Sequence, residues 1–125
     1  MPTRSIAIKR VYDAPAAGDG RRVLVDRLWP RGVAREQARL TLWLKEVAPS
    51  PALRRWFGHD PARWDEFVSR YRRELEGATE PIGRLKALAA EGKPTLRYGA
   101  RDPLHNQAAA LQAYLSETAS AGRGS

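Results

Sequence analysis

Short apolar runs alternate along the chain with longer amphipathic segments, and turns rich in Gly and Pro separate them. Three of the runs, residues 5–12, 23–25 and 94–98, contain the β-branched and aromatic residues that favour strands. The middle run, Val-Leu-Val, has no polar position, which is typical of a strand buried on both faces of a parallel sheet. We therefore expect residues 23–25 at the centre of a sheet, with Asp26 at the carboxyl end of that strand.

Two helices carry clear start and stop signals. Ser50-Pro51 and Asp60-Pro61 each place a capping side chain before a proline, and Gly58 and Gly77 mark the ends. The second of these helices has an apolar stripe at helical spacing, formed by Trp64, Phe67, Val68, Tyr71 and Leu75.

Less regular segments complete the chain. Residues 34–40 and 81–90 predict two further helices, whereas residues 41–47 fit a strand or a helix equally well. Asp102-Pro103 predicts the start of a last helix. Residues 117–125 are mostly small and polar, so we expect a disordered tail there.

Strands that alternate with helices predict an α/β fold. We expect a single small three-layer domain with a short, mostly parallel β-sheet flanked by helices. The domain spans residues 1–125, and its core covers about 5–116. A chain of 125 residues can bury such a core without covalent cross-links.

Composition removes several classes of chemistry. The chain has no cysteine, so it has no disulfide, no thiol nucleophile and no cysteine-ligated metal. The N-terminal residues lack the apolar stretch of a signal peptide, and no run approaches the roughly 18 apolar residues of a membrane span. We therefore expect a cytoplasmic protein without a membrane partner, and the pattern indicates neither a cofactor nor an oligomeric state.

The net charge of +8 indicates an anionic partner, such as a small phosphate-bearing ligand or a nucleic acid. Of the 22 basic residues, 18 are arginine, and alanine is abundant. A GC-rich genome also produces that composition. The charge is therefore either a functional basic face or a compositional bias.

Polar residues follow the predicted central strand directly. Asp26, Arg27, Trp29 and Arg31 lie in the segment after residue 25. In open α/β sheets, ligands bind in the crevice beyond the carboxyl ends of the strands. Asp26 is a candidate for acid–base chemistry, and the two arginines, together with Arg10, are candidates for gripping anionic oxygens.

A second polar segment follows the last predicted strand, which ends at Tyr98. Asp102, His105 and Asn106 lie in it, at the predicted N-terminus of a helix, where free backbone N–H groups favour anions. If the strands are parallel, both segments face one crevice. The candidate site is then catalytic Asp26 and His105 with ligand-binding Arg10, Arg27, Trp29, Arg31, Tyr98, Asp102 and Asn106.

Each candidate also has a purely structural interpretation. Asp26 can simply pair with an arginine, and the tryptophans, Trp64 above all, fit a core better than a stacking platform. Asp102 caps the helix in either case, while His59 and His105 can each bond a helix terminus. Two histidines without cysteine make a weak metal site, so we predict no metal.

Several segments resemble the YeaO-like branch of the domain-of-unknown-function 488 family, in order over about residues 5–115. They are Ile-Lys-Arg-Val-Tyr-Asp (8–13), Val-Leu-Val-Asp-Arg-Leu-Trp-Pro-Arg-Gly (23–32), Trp-Leu-Lys (43–45), Ala-Pro-Ser (48–50), Trp-Phe-Gly-His-Asp (56–60) and Asp-Pro-Leu-His-Asn (102–106).

The resemblance implies a compact bacterial α/β domain that usually stands alone, without an agreed reaction. A sister branch has a strand ending in Asp-Val-Arg and a late Cys-His-Arg. Asp26-Arg27 and His105-Asn106 would be the counterparts here. Because the cysteine is missing, a thiol mechanism does not carry over.

Our leading hypothesis is a crevice that binds or acts on a small phosphate-bearing or nucleotide-like ligand. Catalysis and simple binding both fit the residues. The alternatives are a nucleic-acid-binding module that uses a basic face, and a non-catalytic interaction domain.

Overall fold

The computed structural model describes residues 6–92 and 94–124, with residues 118–124 described by their backbone alone. Within these ranges four strands form one parallel sheet in the order β1-β4-β2-β3. The strands are β1 (Ala7–Arg10), β2 (Arg21–Leu24), β3 (Leu42–Trp43) and β4 (Pro94–Tyr98). β2 therefore lies inside the sheet, and Val23, Leu24 and Val25 are fully buried, as predicted.

Among the described residues, five α-helices accompany the sheet, so the domain has the predicted α/β class. They are α1 (Arg35–Ala38), α2 (Pro51–Phe57), α3 (Trp64–Gly77), α4 (Thr79–Glu91) and α5 (Gln107–Gly124). The predicted signals for α2 operate: Ser50 Oγ accepts a hydrogen bond from the Leu53 N–H, and Gly58 adopts a left-handed φ of 55°. Asp60 caps a 3-10 turn, Pro61–Arg63, that leads into α3.

The two faces of the sheet differ in polarity. One face carries Val23, Leu96 and Tyr98, and it packs with Phe67, Tyr71 and Leu111 of α3 and α5 into the core. On the other face, Lys9, Arg22 and Arg97 surround Asp19, which lies in a 3-10 turn before β2. Segment 41–47, for which the sequence left strand and helix open, contains both a short strand, β3, and a 3-10 turn at Lys45–Val47.

The last helix begins later than predicted. Asp102 Oδ1 accepts hydrogen bonds from the N–H groups of Leu104 and His105, which closes an isolated turn instead of starting the helix. Asn106 is the actual cap, because its Oδ1 accepts from the N–H of Ala109. The prediction that His105 lies inside the helix is therefore wrong: it lies in the turn before α5. The helix continues beyond Ser116 to Gly124.

Candidate binding crevice

Asp26 joins three parts of the chain just beyond the carboxyl end of β2. Its Oδ2 accepts a hydrogen bond of 2.9 Å from the N–H of Gly99, which follows β4. Its Oδ1 accepts from the side-chain amide of Gln107, the first residue of α5. The indole N–H of Trp43 donates to the Asp26 carbonyl oxygen at 2.7 Å. Asp26 is therefore anchored by the amide groups of its neighbours and has no direct arginine partner among the described residues.

Gly99 is required by this arrangement. A Cβ built on it would lie 2.8 Å from Asp26 Oδ2 and 3.7 Å from Cβ of Pro30. The first distance is shorter than a normal contact, so any side chain at residue 99 displaces the carboxylate. The glycine allows the β4 loop to approach Asp26 closely enough for the N–H to donate.

Burial raises the pKa of Asp26 to about 6, and the hydrogen bonds from Gly99 and Gln107 and the charge of Arg54 offset only part of this effect. Asp26 therefore changes protonation state near neutral pH. A carboxyl group with such a pKa can orient a ligand either as an acceptor or, when protonated, as a donor.

The crevice lies beside Asp26 and has two lobes. The larger lobe has a volume of about 370 Å³ and the smaller one about 260 Å³. Both are lined by Arg27, Leu28, Pro49, Arg54, His59, Ala100 and Gln107. The larger lobe adds Arg55, Phe57, Phe67, His105 and Asn106, and the smaller lobe adds Tyr12, Asp26, Trp29 and Pro30.

Three arginines converge on the larger lobe without a carboxylate partner in the described part of the chain. Arg27 donates from Nε to the Pro49 carbonyl at 3.3 Å and from Nη2 to the Ala48 carbonyl at 3.2 Å. Arg54 and Arg55, on α2, form no ion pair with a described residue. The larger lobe has no acidic side chain in its described lining. Its positive charge is therefore open to an anion.

His105 is held by a carboxylate. Its Nδ1 lies 2.8 Å from Asp102 Oδ2, and its ring packs edge-on against Trp64 with centroids 5.3 Å apart. The Leu104 N–H and the His105 side chain hold the pKa of Asp102 below its ordinary value, so Asp102 is an acceptor. In the neutral imidazole the proton is then on Nδ1, and Nε2 has no partner among the described residues.

His59 contributes a second imidazole to both lobes. It follows Gly58 and has a φ of 56°, a left-handed conformation in which non-glycine residues are uncommon. Two consecutive left-handed residues turn the chain sharply between α2 and α3. His59 therefore joins Arg54 in the lining of both lobes.

The sequence-predicted residues separate into three groups. Asp26, Arg27, Trp29, His105 and Asn106 line the crevice, although Asn106 is buried and its amide serves backbone groups of Asp102 and Ala109. Asp102 lies outside the lining, but its Oδ2 is 2.8 Å from Nδ1 of His105. The lining excludes Arg10, Arg31 and Tyr98.

The three excluded residues have other structural environments. Arg10 donates from Nε to the Ala100 carbonyl at 3.0 Å and lies over the ring of Tyr12. Tyr98 is buried in the core, because alternation along β4 directs it to the apolar face. Arg31 is exposed on the loop, and only its carbonyl is used, by the Tyr12 hydroxyl. Arg31 and Tyr98, which the sequence predicts beside Asp26, are therefore not part of this lining, and their role in binding a ligand stays a prediction.

Sequence reasoning missed Arg54, Arg55 and Gln107. The first two lie on α2 after the Ser50-Pro51 start signal, on positions that the buried residues Leu53 and Phe57 do not use. That helical spacing marks them as outward-facing, but it does not indicate that α2 packs beside the 99–107 segment. Gln107 is the first residue of α5. The sequence predicts that this helix begins at Asp102-Pro103, so it does not indicate that the Gln107 side chain reaches Asp26.

The described ranges contain neither a candidate metal cluster nor a candidate membrane-spanning helix. No group of three or more His, Asp or Glu side chains is placed to hold a metal ion. None of the helices there combines the length and apolar character that a membrane crossing needs.

The four-stranded parallel sheet and its helices define the chain as a small α/β domain. The chain belongs to the DUF488-N3i family, described as the inactive DUF488-N3 subclade, which matches residues 5–124.

Relatives from distant bacteria share most of the chain. It is 39% identical over 111 residues to the uncharacterized protein Rv3073c of Mycobacterium tuberculosis, covering 89% of this chain and 93% of the relative. It is 38% identical to the uncharacterized protein YeaO of Escherichia coli, covering 89% and 96%. No solved structure matches the chain.

Proposed function

We propose that this protein binds a small ligand that has an anionic group and a flat or apolar body, such as a nucleotide, in the crevice beside Asp26. The observation that carries this proposal is the convergence of Arg27, Arg54 and Arg55 on a concavity that has no acid in its larger lobe. Arg54 and Arg55 form no ion pair with a described residue, and Arg27 donates only to two carbonyl oxygens. Their remaining N–H donors can bind phosphate or carboxylate oxygens in pairs, because a guanidinium group is a planar fork of donors.

The rest of the larger lobe suits the body of such a ligand. Phe57 and Phe67 stack at 4.4 Å between centroids and form part of its floor, and Pro49 and Pro51 add apolar edges. Ligand sites in proteins combine mostly apolar walls with a few polar groups that fix orientation. The volume of about 370 Å³ is within the range of such sites.

Asp26, Gln107 and His105 supply the orienting groups. Asp26 faces the smaller lobe, and its carboxyl group would accept a hydrogen bond from a ring N–H or amino group of the ligand. Nε2 of His105 is available to a ligand in the larger lobe. The description of the family as inactive supports binding without turnover, so we assign Asp26 and His105 to orientation.

The arrangement favours a small ligand over extended nucleic acid. Arg35 lies over the ring of Trp29 at 4.5 Å, and Arg63 and Arg70 lie over Trp56. These aromatic faces are therefore already occupied by the chain's own cations. A single-strand binder instead needs open aromatic faces for the bases.

Isothermal titration calorimetry with inorganic phosphate, pyrophosphate, adenosine monophosphate and adenosine tests the proposal. We expect the monophosphate to bind more tightly than either phosphate or adenosine alone. The double variant Arg54→Gln/Arg55→Gln should weaken binding at least about tenfold, since each lost charge-assisted hydrogen bond contributes roughly 1.5–3 kcal/mol.

The matched control is Arg73→Gln/Arg84→Gln, which also removes two charges, because both are exposed arginines, on α3 and α4, without an ion pair among the described residues. It should bind as the wild type does. Equal loss in both variants would show that only net charge matters. Absence of binding to all four compounds would contradict the proposed ligand class.

A further inference from the structure

The large apolar side chains that the described residues leave exposed lie at one edge of the molecule. Tyr12, Leu28 and Leu104 are 47%, 66% and 70% exposed. They follow β1, β2 and β4, whose carboxyl ends share one edge of the parallel sheet. Tyr12 and Leu28 also line the crevice, and Leu104 precedes His105. We call these three residues, with Arg31 and Arg101, the rim.

The rim is cationic as well as apolar. Arg31 and Arg101 are exposed and form no ion pair within the described ranges. Asp26 and Asp102, the carboxylates on the same two loops, accept hydrogen bonds from their own neighbours. The rim therefore combines exposed leucines with uncompensated positive charge, and it surrounds a crevice that is itself lined by arginines.

We propose that the rim is a docking surface for an acidic segment of another protein, whose apolar side chains cover Leu28 and Leu104. The positive charge of the rim favours a negatively charged partner. Carboxylates of the segment would approach Arg31 and Arg101. A patch of apolar side chains ringed by charge is the ordinary composition of a protein–protein contact.

Three other occupants fit the rim less well. A second copy of this chain would bring two cationic edges together. A nucleic-acid strand would need an open aromatic platform, but Arg10 lies over Tyr12 at 5.0 Å and the Tyr12 hydroxyl is bonded to the Arg31 carbonyl. A bilayer surface needs a larger apolar face, such as an amphipathic helix, than two leucines on separate loops provide.

Selection from a displayed library of short random peptides tests this inference. The full chain is the bait, and the double variant Leu28→Ser/Leu104→Ser removes peptides that bind elsewhere. We expect the retained peptides to be enriched in Asp or Glu together with Leu, Ile or Phe. By fluorescence anisotropy, a retained peptide should bind the double variant at least about tenfold more weakly than the wild type, as expected when central apolar contacts are lost. The double variant Arg31→Gln/Arg101→Gln should also bind the retained peptide more weakly than the wild type.

Other results would overturn the inference. These are retention of no peptide, retained peptides without acidic enrichment, or equal binding to the Leu28→Ser/Leu104→Ser variant. Two further probes identify the alternative occupants: vesicles that contain phosphatidylserine, and a single-stranded RNA oligonucleotide. If the Leu28→Ser/Leu104→Ser variant lost more affinity for the vesicles or for the RNA than for peptides, the rim would be assigned to a membrane or to RNA.

The proposal for the rim and the proposal for the crevice can fail independently of each other. Because Leu104 is exposed and lies outside the lining of both lobes, the single variant Leu104→Ser should weaken peptide binding but keep the wild-type unfolding transition and the affinity for adenosine monophosphate. Loss of nucleotide binding with intact peptide binding would contradict only the proposed function.

Discussion

The protein has two clusters of charged side chains, and they are built in opposite ways. On one face of the sheet, Asp19 receives hydrogen bonds from Lys9 at 3.2 Å and from Arg22 at 2.9 Å, and it lies 3.6 Å from the buried Arg97. Arg97 in turn donates to the carbonyls of Arg10, Val11 and Asp13. In this Asp19 cluster the carboxylate is surrounded by cations. In the crevice, Arg54 and Arg55 form no ion pair with a carboxylate of the described residues.

This difference distinguishes charges that hold the fold from charges that are free to bind. Burial alone would raise the pKa of Asp19, but hydrogen bonds from the Ala16 N–H, Arg22 and Lys9 hold it well below its ordinary value. Burial dominates at Asp26 and raises its pKa to about 6. Both aspartates are partly or wholly buried, but we expect their replacement to change the free energy of unfolding in opposite directions.

The largest expected effect is at the Asp19 cluster. Asp19→Ala leaves three cations around an empty position, and removing one partner of a buried ion pair costs about 3–5 kcal/mol. We expect the free energy of unfolding, measured by urea denaturation, to fall by about that amount.

The exposed pair Arg21–Glu91 is the control for Asp19, because it is also bonded at 3.2 Å but lies in solvent. Glu91→Ala should cost less than about 1 kcal/mol. Equal losses in Asp19→Ala and Glu91→Ala would remove the distinction between the two clusters.

Asp26→Asn should change the free energy of unfolding in the opposite direction and stabilise the protein above about pH 6. An acid whose folded pKa lies above its unfolded value keeps a proton that the unfolded chain releases, so stability falls as pH rises from about 4 to about 6. Asparagine avoids this loss. We expect the variant to gain up to about 3 kcal/mol at pH 8, and nothing at pH 4.

The same denaturation series on Asp19→Asn should show the reverse dependence. Because the folded pKa of Asp19 is lowered, its contribution is present above the unfolded pKa and disappears as the pH falls toward the lowered value. Asp19→Asn should therefore be destabilised at pH 8, and by less at the acid end of the series. A destabilised Asp26→Asn at pH 8 would show that its carboxylate, like that of Asp19, holds the fold.

Gly99→Ala gives the smallest effect, about 1–3 kcal/mol, since a methyl group at residue 99 must push Asp26 aside in a packed site. Gly83→Ala is the matched control, because Gly83 lies on α4 with nothing within 4 Å of its added Cβ. It should stabilise by about 0.4–1 kcal/mol. If Gly99→Ala matched Gly83→Ala in thermal denaturation, the contact with Asp26 would not hold the loop.

The strands were predictable because their signals are local. The continuous apolar run at 23–25 placed β2 inside the sheet, and the 94–98 prediction coincides with β4. The start of α5 was not predictable, because Asp102 and Asn106 are both good caps, and only tertiary packing decides which of them begins the helix.

The site was predictable only in the part that follows from strand ends. Asp26, Arg27 and His105 were found because parallel strands end at one edge. Arg54 and Arg55 depend on how α2 packs beside the loop after β4, which no local spacing records. Asp19 lies in the sequence Gly-Asp-Gly, which indicates only a turn, and nothing in that motif shows that Lys9 and Arg22 converge on it.

The most direct test of the account is a nuclear magnetic resonance titration of the 15N-labelled protein with adenosine monophosphate. The account predicts saturable shift changes concentrated in the crevice, at Arg27, Arg54, Arg55, His59 and the segment 99–107, with the amides around Asp19 unchanged. Changes spread evenly over exposed arginines such as Arg73 and Arg84, or concentrated near Asp19, would contradict it.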